Sequence, residues 1–191
     1  MPSDVKVRAV GADLLDDLDT LFATSKTTAG CRCLWFIATA KECQAGWGEP
    51  NRAAFASITA AAAEPVGLLA YRGDDAVGWC AAGPRSRYAR ALRSAHLKQR
   101  DDTEDDAVWL VPCFYVRRDA RKVGVTVSLL RGAVDLARSR GATAVEGFPL
   151  AGDGRRGAAE AYLGVEPLFA ACGFTAVARP SPNRVIMRHP L

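Results

Sequence analysis

Val116-Arg117-Arg118-Asp119-Ala120-Arg121-Lys122-Val123-Gly124-Val125-Thr126 is the stretch on which the fold turns. It follows a continuous apolar run, Val108 to Val116, as expected of a strand buried on both faces. It precedes Val125 to Ala137, where Val127, Leu129, Leu130, Val134 and Ala137 recur at helical spacing. Gly141 ends that helix, and Thr143 to Phe148 returns as a strand. Strand, helix and strand in this order make a right-handed parallel crossover. Between the first two, a basic loop runs into a helix that starts at a glycine. The first backbone N–H groups of a helix have no partner inside it, and the positive end of the helix dipole lies behind them. Gly124 lets backbone approach an anion closely, and Arg121 and Lys122 add charge. The loop is therefore expected to bind a phosphate or pyrophosphate.

Working outward, Val5 to Val10 alternates as a half-exposed strand, and Asp13 opens a helical face of Leu14, Leu15, Leu18, Leu21 and Phe22. Thr28 to Gly48 reads as irregular, with Trp35, Phe36 and Trp47. A second helix is expected from Pro50-Asn51, capped by Asn51, to Ala63. Val66 to Tyr71 and Ala76 to Ala82 read as strands joined at the turn Arg72-Gly73-Asp74-Asp75. Ser86 to Lys98 is basic and open to helix, and the acidic run Asp101 to Asp106 is expected to be a solvated loop. Pro112 cannot donate to a ladder and predicts a bulge. Glu166 to Cys172 is expected as a short helix closed by Gly173, followed by Phe174 to Ala178 and Arg184 to Met187 as an antiparallel pair. No linker separates two periodic regions, so residues 1–191 are expected to form one domain.

Composition narrows the function. A 49% hydrophobic and 24% charged chain of 191 residues is globular, and no segment approaches the roughly 20 apolar residues that span a bilayer. Met1-Pro2-Ser3-Asp4 has no leader-like pattern, so the expected location is the cytoplasm, with no membrane contact. The net charge of +4 is too mild for a nucleic-acid protein. Arginine and alanine dominate over lysine and isoleucine, which suggests a GC-rich genome, and a bacterial-type protein is expected. Cys31-x-Cys33 with Cys43 offers three soft ligands, but the spacing is not that of a zinc site and His96 and His189 lie far off; no metal is expected. Gly152-Asp153-Gly154-Arg155-Arg156-Gly157 has the dinucleotide pattern without its downstream acid or its helix, so it reads as a flexible basic loop.

Arg121-x-x-Gly124-x-Thr126 resembles the acetyl-CoA motif Gln/Arg-x-x-Gly-x-Gly/Ala of the GCN5-related N-acetyltransferases. Leu168-Phe169-Ala170-Ala171-Cys172-Gly173-Phe174 resembles that family's short helix ending in Gly-Phe, at its usual separation from the first motif. The resemblance covers the chain from about Val66 onward. It implies an α/β (α+β) fold with one mixed central sheet, splayed between its fourth and fifth strands and flanked by helices. It implies acetyl-CoA as co-substrate and direct transfer to an amine of a small molecule or peptide, and leaves a homodimer open. Backbone of Phe114, Tyr115 and Val116 should pair with the pantetheine arm. The turn of Arg121, Lys122, Val123, Gly124, Val125 and Thr126 should hold the pyrophosphate. Thr126 departs from the family's small residue. Phe169 stands where many members carry a tyrosine that protonates the departing thiolate.

Glu146, an acid inside an apolar strand beside the gap, is the first candidate for general base; a salt-bridged or edge carboxylate fits it equally. Tyr162 could supply the missing acid or simply pack, and His96 reads as surface. Cys113 reads as a core thiol, not a nucleophile. Trp35, Phe36, Trp47 and Arg52 are expected around the acceptor. Two non-enzymatic readings stay open: a CoA-binding sensor without turnover, and a basic interaction module.

Overall fold

The computed structural model describes residues 5–152 and 158–191; the opening tetrapeptide and residues 153–157 of the glycine-rich loop lie outside the described residues. Val5–Ala9 forms β1. Leu15–Ala23 forms α1, which buries Leu18, Leu21 and Phe22 along one face. The stretch read as irregular is in fact helical in three pieces: α2 (Lys26–Cys31), a single 3-10 turn (Leu34–Phe36) and α3 (Ala40–Ala45). Thr39 starts α3 with a capping box, its hydroxyl accepting from Glu42 N–H while Glu42 Oε2 accepts from Thr39 N–H.

α4 spans Glu49–Ala61 and begins before Asn51. Asn51 is therefore not a cap. It is buried, and its Nδ2 donates to the carbonyls of Gly30 (2.9 Å) and Cys43 (2.8 Å). Those carbonyls belong to the last turns of α2 and α3, which leave acceptors open; supplying them in a buried site outweighs a surface cap.

β2 (Gly67–Arg72) and β3 (Asp75–Pro84) form the expected hairpin, and α5 is a short Ala89–Leu92 turn of helix. Then follow β4 (Val108–Val116), α6 (Val125–Ser139), β5 (Ala144–Gly147), α7 (Glu166–Ala170), β6 (Thr175–Ser181) and β7 (Arg184–Pro190). The seven strands form one mixed sheet in the order β1-β2-β3-β4-β5-β7-β6, in which only β4 and β5 are parallel. Opposite Ala82, β4 holds two residues, Val111 and Pro112, since Ala81 faces Cys113 and Gly83 faces Leu110. This is the bulge that the proline predicts.

One face of the sheet packs on α6 and α7 through Leu129, Leu130, Ala133 and Phe169. The other packs on α1 to α4 through Leu18, Phe22, Phe55 and Trp79. The acidic run is solvated at Asp101, Asp102 and Asp106, but Glu104 and Asp105 turn to ion pairs. Glu104 pairs with Arg188 at 2.8 Å, and Asp105 lies 3.0 Å from Arg85 and 2.6 Å from Arg100. Buried guanidiniums need counter-charges, and the run supplies them. Among the described residues no helix is long and apolar enough to cross a membrane.

Candidate active site

β4 and β5 pair only from Val108–Ala144 to Leu110–Glu146. Beyond Leu110, β4 continues to Val116 with β3 as its only strand partner among the described residues, so the sheet splays at the expected place. The backbone of Cys113 to Val116 is left with an open edge. That edge leads into the basic loop, where Ala120 is buried as an anchor and Lys122 (φ 66°) and Gly124 (φ 87°) adopt left-handed backbone. Glycine takes that conformation freely, whereas Lys122 takes it at a cost of order 1 kcal/mol.

The first bond of the α6 ladder is Ser128 N–H to Gly124 O at 3.0 Å, so Val125, Thr126 and Val127 offer N–H groups with no acceptor inside the helix. The helix sits low on the sheet because Gly78 has no side chain: a Cβ there would lie 2.6 Å from Val125 Cγ1. Arg121 Nε donates to Val116 O at 3.1 Å, which ties its guanidinium to the strand end. Among the described residues no carboxylate is within ion-pair distance of Arg121 or Lys122. Arg117, in contrast, is committed to Asp119 at 2.7 Å. Among the described residues, Arg121 and Lys122 beside the open N–H groups are thus uncompensated, as is Arg118.

On the α1–α4 face a cavity of about 310 Å³ opens beside this edge. Trp35, Phe36 and Trp47 line it, as expected; Cys113, Phe114 and Tyr115 close it from the sheet side, and Tyr162 lines it from the 3-10 segment before α7. Arg52 does not take part; Asp19 and Glu49 hold it at a separate cavity lined by α1 and α4. Cys31 and Cys33, weighed from sequence only as metal ligands or buried thiols, also line it, as do Ser25, Thr27 and Trp79, which sequence reading did not single out. Arg32 (φ 46°) and Cys33 (φ 59°) both have left-handed backbone, a strained turn with no glycine to announce it. Cys33 Sγ accepts from Trp79 Nε1 at 2.8 Å. Burial pushes the Cys31 thiol up to about 11 and raises Cys33 as well, so both are neutral thiols. Cys43 lies apart beneath Asn51, and among the described residues no group of three or more His, Cys, Asp or Glu is placed to hold a metal.

Glu146 is 4% exposed and does not line this cavity. Its Oε2 accepts from Arg85 at 2.9 Å and its Oε1 from Arg188 at 3.0 Å, and it looks into a separate polar cavity that His96 also lines. Of the two readings for this residue, the geometry is that of the salt-bridged carboxylate.

Among solved structures, an N-acetyltransferase from Staphylococcus aureus superposes with a TM-score of 0.58 at 12% identity, over 98% of this chain and 99% of that one. A GCN5-related N-acetyltransferase from Kribbella flavida gives 0.57 at 16% identity over 100% of both chains. The chain has the GCN5-related N-acetyltransferase fold. A Salmonella typhimurium protein solved with its cofactor acetyl-CoA gives 0.56 at 13% identity, over 98% and 94% of the two chains. No family profile and no curated protein matches the sequence. On this GCN5-related scaffold, Phe169 of α7 is fully buried, with its ring 6.2 Å from that of Phe114 and 5.0 Å from that of Phe174. Gly147 and Gly164 leave the space it fills, since a Cβ at either would come within 3.0 Å of the ring. Position 169 is a packing position here.

Proposed function

We propose that the chain is an N-acetyltransferase that takes acetyl from acetyl-CoA and passes it directly to an amine while both are bound. One observation carries this reading: the open edge of β4 ends at an uncompensated basic turn on a helix N-terminus, with a cavity beside it. In this reading the pantetheine amides continue the sheet along Phe114, Tyr115 and Val116. The pyrophosphate lies on the N–H groups from Lys122 to Thr126, with Val123 and Val125 contributing backbone, Gly124 giving close approach and Arg121 adding charge. The thioester carbonyl then sits at the splay, where N–H groups of the open edge polarise it as an oxyanion hole does.

Tyr162, on the cavity wall, is the group proposed to hand a proton to the departing thiolate. Glu146 is proposed as a positioning residue, because a base there would first have to give up two ion pairs. A chain that binds CoA without turnover is the second reading, favoured by the buried Phe169. Thermal unfolding with acetyl-CoA tests the cofactor. At about 100 times its dissociation constant the ligand should add about 2.7 kcal/mol of stability, and Arg121→Ala should weaken binding about tenfold. No stabilisation of the wild type, or an equal shift in Arg121→Ala, overturns the assignment of the loop. Release of CoA thiol in the presence of an acceptor separates the enzyme from the sensor.

A further inference from the structure

We propose that the acceptor is a small aromatic amine, neutral and weakly basic, received in the cavity against Trp35, Phe36 and Trp47; the proposal rests on the acetyl-transfer reading above. Pockets of a few hundred Å³ suit ligands of one or two rings, and this one measures about 310 Å³.

The walls decide the charge. Among the described lining residues there is no carboxylate, and the thiols of Cys31 and Cys33 are held neutral by burial. Carboxylates in the surroundings are committed elsewhere: Asp19 to Arg32 and Arg52, Asp17 to the Tyr71 hydroxyl at 2.6 Å, and Glu146 to Arg85 and Arg188. A cation on the Trp35 wall works against a charged guest. The Arg90 guanidinium stacks 3.7 Å from the Trp35 ring centre and donates to Trp35 O at 3.0 Å. It occupies one face of the Trp35 ring, so that face receives no ammonium group, and it adds positive potential there. An alkylamine, protonated like lysine until about pH 10, would have to leave water for this cavity with no counter-charge. An arylamine enters neutral, with its lone pair available.

The chemistry closes without a carboxylate base. The amine nitrogen attacks the thioester carbonyl and the C–N bond forms. The C–S bond then breaks with its electron pair on sulfur. The proton shed by nitrogen passes to the thiolate, with the Tyr162 hydroxyl as relay, giving the N-aryl acetamide and CoA thiol. Such a route accounts together for Phe169, which has no proton to give, and for Glu146, which is held in ion pairs.

Two isomers of equal size test this with the full-length chain: 4-methylaniline and benzylamine, each with acetyl-CoA, read by release of CoA thiol. The expected result is a kcat/KM at neutral pH at least about tenfold higher for 4-methylaniline. Its rate should be flat across neutral pH, while that of benzylamine climbs as the free base appears. Trp47 is 48% exposed, so Trp47→Ala should fold; it should lower kcat/KM for 4-methylaniline about tenfold and leave stabilisation by acetyl-CoA unchanged. Equal or faster turnover of benzylamine, or an unaffected Trp47→Ala, overturns the acceptor assignment and leaves acetyl transfer standing. So does release with neither amine when acetyl-CoA still stabilises the protein. Loss of that stabilisation in the wild type removes the acetyl-CoA reading itself.

Discussion

At Phe169 the surroundings leave no ready place for a hydroxyl. The ring is wedged against Gly147 and Gly164 with no exposure. A phenol oxygen at its tip would be forced into that packing and would have to find a partner there. Phe169→Tyr should therefore lower stability by about 1–3 kcal/mol and bring no gain in turnover, as denaturant unfolding and CoA-thiol release would reveal. A rise in kcat would mean that the tip of residue 169 reaches the thiolate. Gly30 makes a similar point on the other wall. A Cβ there would lie 1.9 Å from the Trp47 indole, so Gly30→Ala must push Trp47 aside. Its expected mark is a raised KM for the acceptor with acetyl-CoA binding kept; a shifted CoA affinity with unchanged KM would contradict the placement of Trp47 on the acceptor side.

At the scale of elements, the placement of α6 on the sheet governs the anion site. Gly78→Val would set a branched side chain where Val125 Cγ1 already stands, lifting the helix start off β3. Overpacking of this kind costs about 1–3 kcal/mol, and the loss should appear together with weaker CoA binding. Weaker folding with unchanged affinity would show that the turn holds its shape independently of the helix. This part of the molecule was legible because its signals are local: the buried run to Val116, the glycine at 124 and the helical spacing of Leu129, Leu130 and Val134 are each readable within a few residues. The bulge at Pro112 was legible for the same reason. Elsewhere a local signal was redirected by tertiary need. Asn51 looks like a cap, yet it feeds the carbonyls of Gly30 and Cys43. Arg32 and Cys33 take a left-handed turn that no glycine marks, so the place of the Cys31 and Cys33 thiols on the cavity wall was not legible. Glu104 and Asp105 read as solvated because their partners, Arg188, Arg85 and Arg100, are distant or ambiguous in sequence.

Across the whole molecule those ion pairs fasten the closed end of the splay. Arg85, just after β3, reaches Glu146 on β5 and Asp105 before β4; Arg188 on β7 reaches Glu146 and Glu104. The hub joins elements that would otherwise be held only by short pairing, since β4 and β5 share three positions. Arg188 beside Glu104 holds that carboxyl below its ordinary value. A depressed folded pKa contributes stability that is present above the unfolded value, about 4.3 for glutamate, and is lost as pH falls through the folded value. Acid unfolding should thus begin below about pH 4.3, and Glu104→Gln should flatten that limb of the stability–pH curve. Glu146 allows the sharpest separation of roles. Glu146→Ala removes one of the carboxylates that face the buried Arg85, with Asp105 still beside it, and should cost about 1–3 kcal/mol. Glu146→Gln keeps the shape, so it should lose less stability while kcat per folded molecule, and its pH profile, stay as in the wild type. A kcat that collapses in Glu146→Gln with the fold intact would instead make this carboxylate the base, and the ion pairs a means of tuning it.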